Sequence, residues 1–551
     1  MVQKGDVMET LTNNTLRIWQ EEGRQLIPQN YAEFRNLVAQ AKDFLERGKY
    51  DMAAVYGEMA ASYASGKHCG LFVSLELEQI LLAIGRKAIR NNNYLSVGKS
   101  SLHNPKKILH IATSIGSIGG HSRMLWRWIQ QDTERSHSLV LTRQLPNFVP
   151  QVLIDSIRNS NGKIHILNES IGSLISWSKR LREIAVTADL IVLHVHNYDV
   201  IPIIAFANKE NSPPVVLLDH ADHLFWLGEG ISDVVVSLRE SGMRLVQERR
   251  HIEPQRNVLL PIILEPIQRL LSRAQAKQQL GISEDNILLL SIARAIKYKT
   301  IDGISFADAH VPLLKKYQQA ILIVIGPGNC EDWSDAIQQT QGRIRVLSET
   351  EHTSLFYQAA DIYVDSFPFV SNTSLLEAGS YGVPLVSRYP YLSEASGVLG
   401  ADMPGLSGNL MRARDLQEYT AALSKLIEDT EFRLSLGEAT RSKITATHCG
   451  DEWQRFLENV YSYAATVTPV SSPIESKDEI FLGEPDVFIP KVHDVDIDST
   501  KLSQWHMPLM PTTERLFCWF KLVAKYGFRN HPLNCLLPAW LRVRYYLFRS
   551  T

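Results

Sequence analysis

The chain has 551 residues, 45% of them hydrophobic and 21% charged, a soluble composition long enough for two or three domains with substantial cores. A formal net charge of -2 gives no global reason to expect nucleic acid as a partner, although charge balanced overall can be segregated locally. Five scattered cysteines without a Cys-x-x-Cys spacing argue against a disulfide framework and a zinc site. No apolar run reaches membrane-spanning length, and residues 1–15 carry no signal-peptide pattern, so a reducing cytoplasm is expected.

From about Thr15 to Arg90 apolar residues recur at helical spacing, as in Phe34, Leu37, Val38, Ala41, Phe44 and Leu45, then Ala53, Tyr56, Ala60 and Tyr63 beyond a turn at Arg47-Gly48-Lys49. This predicts a small all-α region with a helical hairpin. It is not a solenoid, because no second copy follows at a fixed period. With a polar linker from Asn91 to Pro105 it makes up residues 1–104.

From Lys106 short apolar strands alternate with amphipathic helices: Ile108 to Ala112, Ser138 to Leu141, Leu190 to Val195, Val215 to Leu218 and Val234 to Val236. A second series holds Ile287 to Ile292, Ile321 to Ile325, Ile344 to Leu347, Ile362 to Val364 and Pro384 to Val386. The fold class is therefore α/β, with two tandem doubly wound domains of parallel sheet, 105–261 and 262–465, joined near Leu260-Pro261. A ligand cleft is expected between them, at the carboxyl ends of the strands. Residues 466–504, rich in Pro, Ser and acids, read as a flexible linker, and 505–551 as a basic, aromatic helical segment.

The most informative stretch runs from Asp365 to Ser387. Ser371, Asn372, Thr373 and Ser374 come just before an apolar helical run, so free backbone N–H groups would face whatever lies in front and favour a phosphate. Glu377 falls about one turn into that helix, too deep to cap it but placed to accept hydrogen bonds from ribose hydroxyls. Ser291-Ile-Ala-Arg294-Ala-Ile-Lys297-Tyr-Lys299 follows the first strand of the second half and puts fixed cations where a departing diphosphate needs them; a solvated basic loop fits the same residues.

In these motifs the chain resembles glycosyltransferases of the GT-B architecture, especially those of family 4, over roughly Lys106 to Ala465. A Gly-Arg-Leu-x-x-x-Lys motif stands here as Ala293-Arg294-Ala-Ile-Lys297-Tyr-Lys299, and a Glu-Ala-x-x-x-Gly-x-Pro segment as Glu377-Ala-Gly-Ser-Tyr-Gly382-Val-Pro384. The resemblance assigns Arg294 and Lys299 to the donor diphosphate and Glu377 to the nucleotide ribose. It implies a hexosyltransferase that uses a nucleoside diphosphate sugar, UDP- or GDP-linked, with no metal or other cofactor. A second Glu that the family carries eight positions before the ribose Glu is Phe369 here, which leaves the sugar and the stereochemical outcome open. The Asp-Ser-Phe-Pro-Phe wording is similar instead to bacterial protein-glucosylating and O-GlcNAc-transferase-like enzymes.

In the first half, Gly119 and Gly120 open a helix and allow close backbone approach to donor or acceptor, or make a plain tight turn; the family usually has a Gly-Gly loop here. His121 beside them is either a base or a helix-start residue. Leu218-Asp219-His220-Ala221-Asp222-His223 ends another strand, where His220 and Asp222 can serve an acceptor hydroxyl as base or hydrogen-bond partner. A metal site there lacks a third ligand. His194 and His196 read as core or loop packing. Asp494-Val-Asp496-Ile-Asp498 mimics a metal-binding Asp-x-Asp but lies outside the nucleotide fold and reads as a solvated acidic run.

The last segment interleaves Trp519, Phe520, Tyr526, Phe528, Trp540, Tyr545, Tyr546 and Phe548 with Arg515, Lys521, Lys525, Arg529, Arg542, Arg544 and Arg549, and Glu514 is its only acid. An anionic membrane interface and packing on the body both fit this pattern; no reading motif for nucleic acid accompanies it. The expected partners are a nucleotide sugar and a glycan, lipid-linked glycan or polysaccharide acceptor, with the protein cytoplasmic or peripheral on the inner face of the plasma membrane. A protein acceptor, which the helical 1–104 would suit, and a catalytically inactive GT-B sugar-binding scaffold are the alternatives.

Overall fold

The computed structural model describes residues 4–89, 104–144, 149–209, 212–267, 269–329, 332–391, 396–470, 478–528 and 533–542. Three helices come first, Lys4–Glu46, Tyr50–Gly66 and Leu75–Ala88. The turn between the first two is at Gly48, whose φ of 71° lies in the left-handed region that glycine adopts without a Cβ clash. The linker expected at Asn91 to Pro105 falls mostly outside the described residues.

The first sheet has seven strands: β1 Lys107–Ala112, β2 Ser136–Leu141, β3 Ile164–Ile166, β4 Leu190–His194, β5 Val215–Asp219, β6 Val234–Ser237 and β7 Asn257–Leu259. Six form the second: β8 Ile287–Ile292, β9 Ala320–Ile325, β10 Ile344–Leu347, β11 Ile362–Val364, β12 Leu385–Arg388 and β13 Leu410–Ala413. All pairings are parallel, in the orders β3-β2-β1-β4-β5-β6-β7 and β10-β9-β8-β11-β12-β13. Central strands β4, β5, β9 and β11 are buried along their whole length, as continuous Val/Ile/Leu runs in a sheet covered on both faces require. In each sheet the order reverses beside the first strand, between β1 and β4 and between β8 and β11, the crevice where doubly wound sheets bind ligands.

Two segments depart from the expected layout. Helix Gly450–Thr466, expected with the second half, packs on the first: Trp453 Nε1 donates to Pro261 O at 2.7 Å, and Trp128 Nε1 donates to Tyr461 Oη at 2.8 Å. The 466–504 segment, expected to be a flexible linker, carries helices Glu484–Val492 and Ser499–His506. Phe488, Ile489 and Val492 of the former are buried in one cluster with Phe72, Leu245, Phe369, Val398 and Leu399, so it touches the N-terminal helices and both halves. Composition pointed to solvent because its polar residues outnumber the few apolar ones that do the packing. Asp494 pairs with Lys67 at 2.6 Å, Asp496 pairs with Lys501, and Asp498 caps the second helix, so all three acids of the Asp-x-Asp mimic are engaged.

Candidate functional site

A cavity of about 620 Å³ lies between the carboxyl ends of the two sheets. Gly119, Gly120, His121, His220, Asp222, Arg294, Asn372, Thr373, Ser374 and Glu377, named above from sequence, all line it. The Gly-Gly loop after β1 meets the second half directly. A Cβ on Gly120 would collide with the Thr373 side chain, and one on Gly119, at φ 122°, would come within 3.6 Å of an Arg294 guanidinium nitrogen. That close approach gives Gly120 a role beyond the turn, while Gly119 is required by its positive φ.

Helix Asn372–Ser380 starts in the cavity wall with no side-chain cap, so its first-turn N–H groups lack intrahelical partners. The loop before it is anchored from below: Ser371 N donates to Asp365 Oδ1 at 2.9 Å, and burial raises the Asp365 carboxyl to about 7. Asn372 Oδ1 is buried without a partner, an acceptor left over on the cavity side of the same loop.

Glu377 is 6% exposed and already occupied. Arg123 Nη1 sits 2.6 Å from both its carboxylate oxygens, Arg127 Nη2 3.2 Å from one, and Tyr357 Oη 3.4 Å from the other. Both arginines come from helix Gly120–Gln131 of the first half, so the pair spans the cleft. Neither was singled out in the sequence, where they are two charges on an amphipathic helix facing an element about 250 residues away.

Arg294 is exposed on the cavity wall, but its partner is Lys297, because Lys299 is not among the lining residues. The reason is local geometry. Arg294, in extended conformation, precedes a 3-10 turn over Ala295–Lys297, and this tight turn returns Lys297 to the cavity wall that Arg294 also lines. Lys297 Nζ donates to Val370 O at 2.7 Å and lies 4.9 Å from the Phe369 ring centre, and burial lowers its pKa to about 8. Lys299 is half-buried and donates its backbone N–H to Phe367 O at 3.2 Å. Phe369 itself lines the cavity, its ring 5.1 Å from that of His223.

On the first half, Asp222 differs from the expected acceptor-side acid. Arg239 grips it with Nε at 2.6 Å and Nη2 at 3.0 Å. Burial pushes the carboxyl up, but Arg239 and the neighbouring His223 outweigh it and hold the group below the ordinary carboxylate range. It is therefore a fixed anion. Arg239, 3% exposed, also donates to Gly400 O at 2.8 Å and Asp402 Oδ1 at 2.6 Å, tying the first half to the loop after β12. His220 is left as a neutral imidazole, lowered to about 4 by burial and by the imidazole of His196. A base that weak holds a proton poorly at neutral pH and suits hydrogen bonding to hydroxyls better than proton abstraction. The His121 ring stands edge-on to it at 4.0 Å, with both nitrogens buried and unpartnered, and burial with three nearby imidazoles holds it neutral. His194 is core, bonded through Nε2 to His110 at 3.0 Å, whereas His196 reaches the cavity.

Residues 287–429, which contain Arg294, Lys297, Lys299 and the whole Asn372–Glu377 stretch, match the family described as glycosyl transferases group 1. This segment is a group 1 glycosyltransferase domain. Two curated relatives, both named D-inositol 3-phosphate glycosyltransferase, are similar to parts of the chain. That of Corynebacterium aurimucosum is 26% identical over 215 residues, 35% of this chain and 47% of its own length. That of Thermobifida fusca is 28% identical over 185 residues, 30% of this chain and 41% of its own. The chain thus spans about half the length of the curated relatives it matches. A crystal structure of a glycosyltransferase from Rickettsia africae superimposes with a TM-score of 0.51 over 66% of this chain and 99% of that one, at 11% identity. At that identity the likeness is one of fold, and the group 1 domain is the second half of a GT-B pair of doubly wound sheets.

Proposed function

We propose that the chain transfers a hexosyl group from a UDP- or GDP-linked donor to a hydroxyl of a glycan, lipid-linked glycan or polysaccharide. The observation that carries this reading is the meeting, in one cavity, of an uncapped helix start, the Arg294–Lys297 pair and buried Glu377. The helix start would hold phosphate through the amides of Asn372, Thr373 and Ser374. Arg294 and Lys297 would stabilise the charge that grows on the diphosphate as its bond to the anomeric carbon breaks, so the step needs no divalent cation. As that bond breaks, a new bond forms from the anomeric carbon to the acceptor oxygen, and the acceptor proton passes to the departing diphosphate, which leaves as the nucleoside diphosphate. Glu377 would take the ribose hydroxyls, exchanging Arg123 for them, and His220 would bind hydroxyls of sugar or acceptor. In this reading the protein is cytoplasmic, and a lipid-linked acceptor would bring it to the inner face of the plasma membrane.

Calorimetric titration with UDP and with GDP tests the assignment. Binding is expected in the native protein and lost in Glu377→Ala, with a thermal melt showing that the variant is still folded; unchanged affinity removes Glu377 from the site. A second reading, a sugar-binding scaffold without turnover, draws on Phe369 in the cavity wall and on the arginines that occupy Glu377. Release of free sugar from UDP-hexoses in the absence of acceptor would favour the enzyme, and its absence the scaffold. A protein acceptor remains the alternative that the N-terminal helices would suit.

A further inference from the structure

Helix Thr512–Tyr526 is apolar on two faces. Toward the body it turns Arg515, Trp519 and Leu522, all buried. The Arg515 guanidinium donates to Met510 O at 2.9 Å and Leu536 O at 3.0 Å, so this arginine serves packing. Outward, at spacings of three and four, it presents Leu516, Phe517 and Phe520, with Phe528 just past its end; the three phenylalanines are 62%, 61% and 52% exposed. A surface helix ordinarily carries charge on that side. Trp505 and Leu533, also exposed, are further apolar groups of the same C-terminal segment.

Charge frames the rings. Lys521 Nζ lies 4.4 Å from the Phe517 ring centre and Lys525 Nζ 5.0 Å from that of Tyr526. Glu514, the one acid, pairs with Lys49 at 3.3 Å. From Arg515 to the end of the sequence there are seven Lys and Arg and no Asp or Glu; Arg529, Arg544 and Arg549 among them, with Tyr545, Tyr546 and Phe548, lie outside the described residues.

We propose that this face docks on an anionic lipid bilayer surface, the phenylalanines entering the boundary between headgroups and acyl chains while the lysines reach back to lipid phosphates. A second copy of the chain is the poorer occupant, because it would set the same cations against each other. No described helix is long and apolar enough to cross a membrane, so docking would be peripheral. This deepens the membrane side of the proposed function but uses no residue of the cavity.

The test is co-sedimentation of the full chain, without any sugar donor, on vesicles of phosphatidylcholine alone and of phosphatidylcholine with phosphatidylglycerol. Binding is expected to the mixed vesicles, to weaken with salt, and to fall at least about tenfold in the triple variant Phe517→Ser/Phe520→Ser/Phe528→Ser and less in Lys521→Gln/Lys525→Gln. UDP titration of the triple variant shows whether it is folded and keeps this surface separate from the cavity: lost docking with intact UDP binding supports the proposal. Equal vesicle binding by the triple and native proteins overturns it, as does native protein that ignores both vesicles. Self-association in ultracentrifugation that the triple variant abolishes, with no vesicle binding, assigns the face to a second copy and overturns it as well.

Discussion

Glu377 and Asp222 are both cavity carboxylates gripped by arginine, yet they differ in what a ligand can do to them. Asp222 is held by Arg239 of its own half, in two-pronged contact, and Arg239 is satisfied again by the backbone and by Asp402 across the cleft. Glu377 takes its ion pairs from arginines of the other half, Arg123 and Arg127, with the Tyr357 hydroxyl of its own half at 3.4 Å. Breaking the first pair strands buried charges within one half, whereas in the proposed function the second, which spans the cleft, is exchanged for ribose hydroxyls. One carboxylate is thus a strut and the other a socket.

The largest effect that would break this comparison belongs to the strut. Arg239→Ala leaves Asp222 and Asp402 without their cation and is expected to cost about 3–5 kcal/mol of stability, read from the shift in denaturation midpoint. A loss under about 1 kcal/mol would mean that the pair is replaceable.

Arg123→Ala acts on the socket. It removes the nearer competitor for Glu377, so UDP affinity is expected to rise about tenfold, a gain of about 1.4 kcal/mol, in calorimetry. Weaker binding would place Arg123 on the ligand itself and dissolve the contrast.

The pH dependence of UDP binding sharpens the donor side. Lys297, lowered to about 8 by burial, is mostly cationic at pH 7 and loses its proton as pH rises through 8. Affinity is expected to fall above that point by at most about tenfold per unit, and Lys297→Met should abolish this limb while weakening binding at pH 7. The smallest effect is expected of Lys299→Met, which removes a side chain outside the cavity wall; a loss larger than that of Lys297→Met would restore the family assignment.

The ten strands read from sequence recur within one or two residues; nine of them are interior strands, and only β10 lies at a sheet edge. The three that escaped, β3, β7 and β13, are all at sheet edges. β3 is only three residues long and half-buried throughout, and β13 is Leu-Met-Arg-Ala, so neither carries a readable run. The same logic explains the tail. Phe488, Ile489 and Val492 pack against residues hundreds of positions away, and no local window records that partner.

Local chemistry by itself determined the two doubly wound sheets, the helix start near Ser371 and the candidate places of Arg294 and Glu377 beside a cleft, because strand runs, a helix start and a following turn are short-range patterns that each carry their own signal. Tertiary structure alone decided the rest. It set Lys297 in the cavity wall beside Arg294, gave Asp222 to Arg239 and Glu377 to Arg123, moved the Gly450–Thr466 helix onto the first half, and turned Trp519 inward and Phe520 outward. Those outcomes depend on which groups meet across the fold and how far burial strips them of water, and neither quantity is written in any single stretch of the chain.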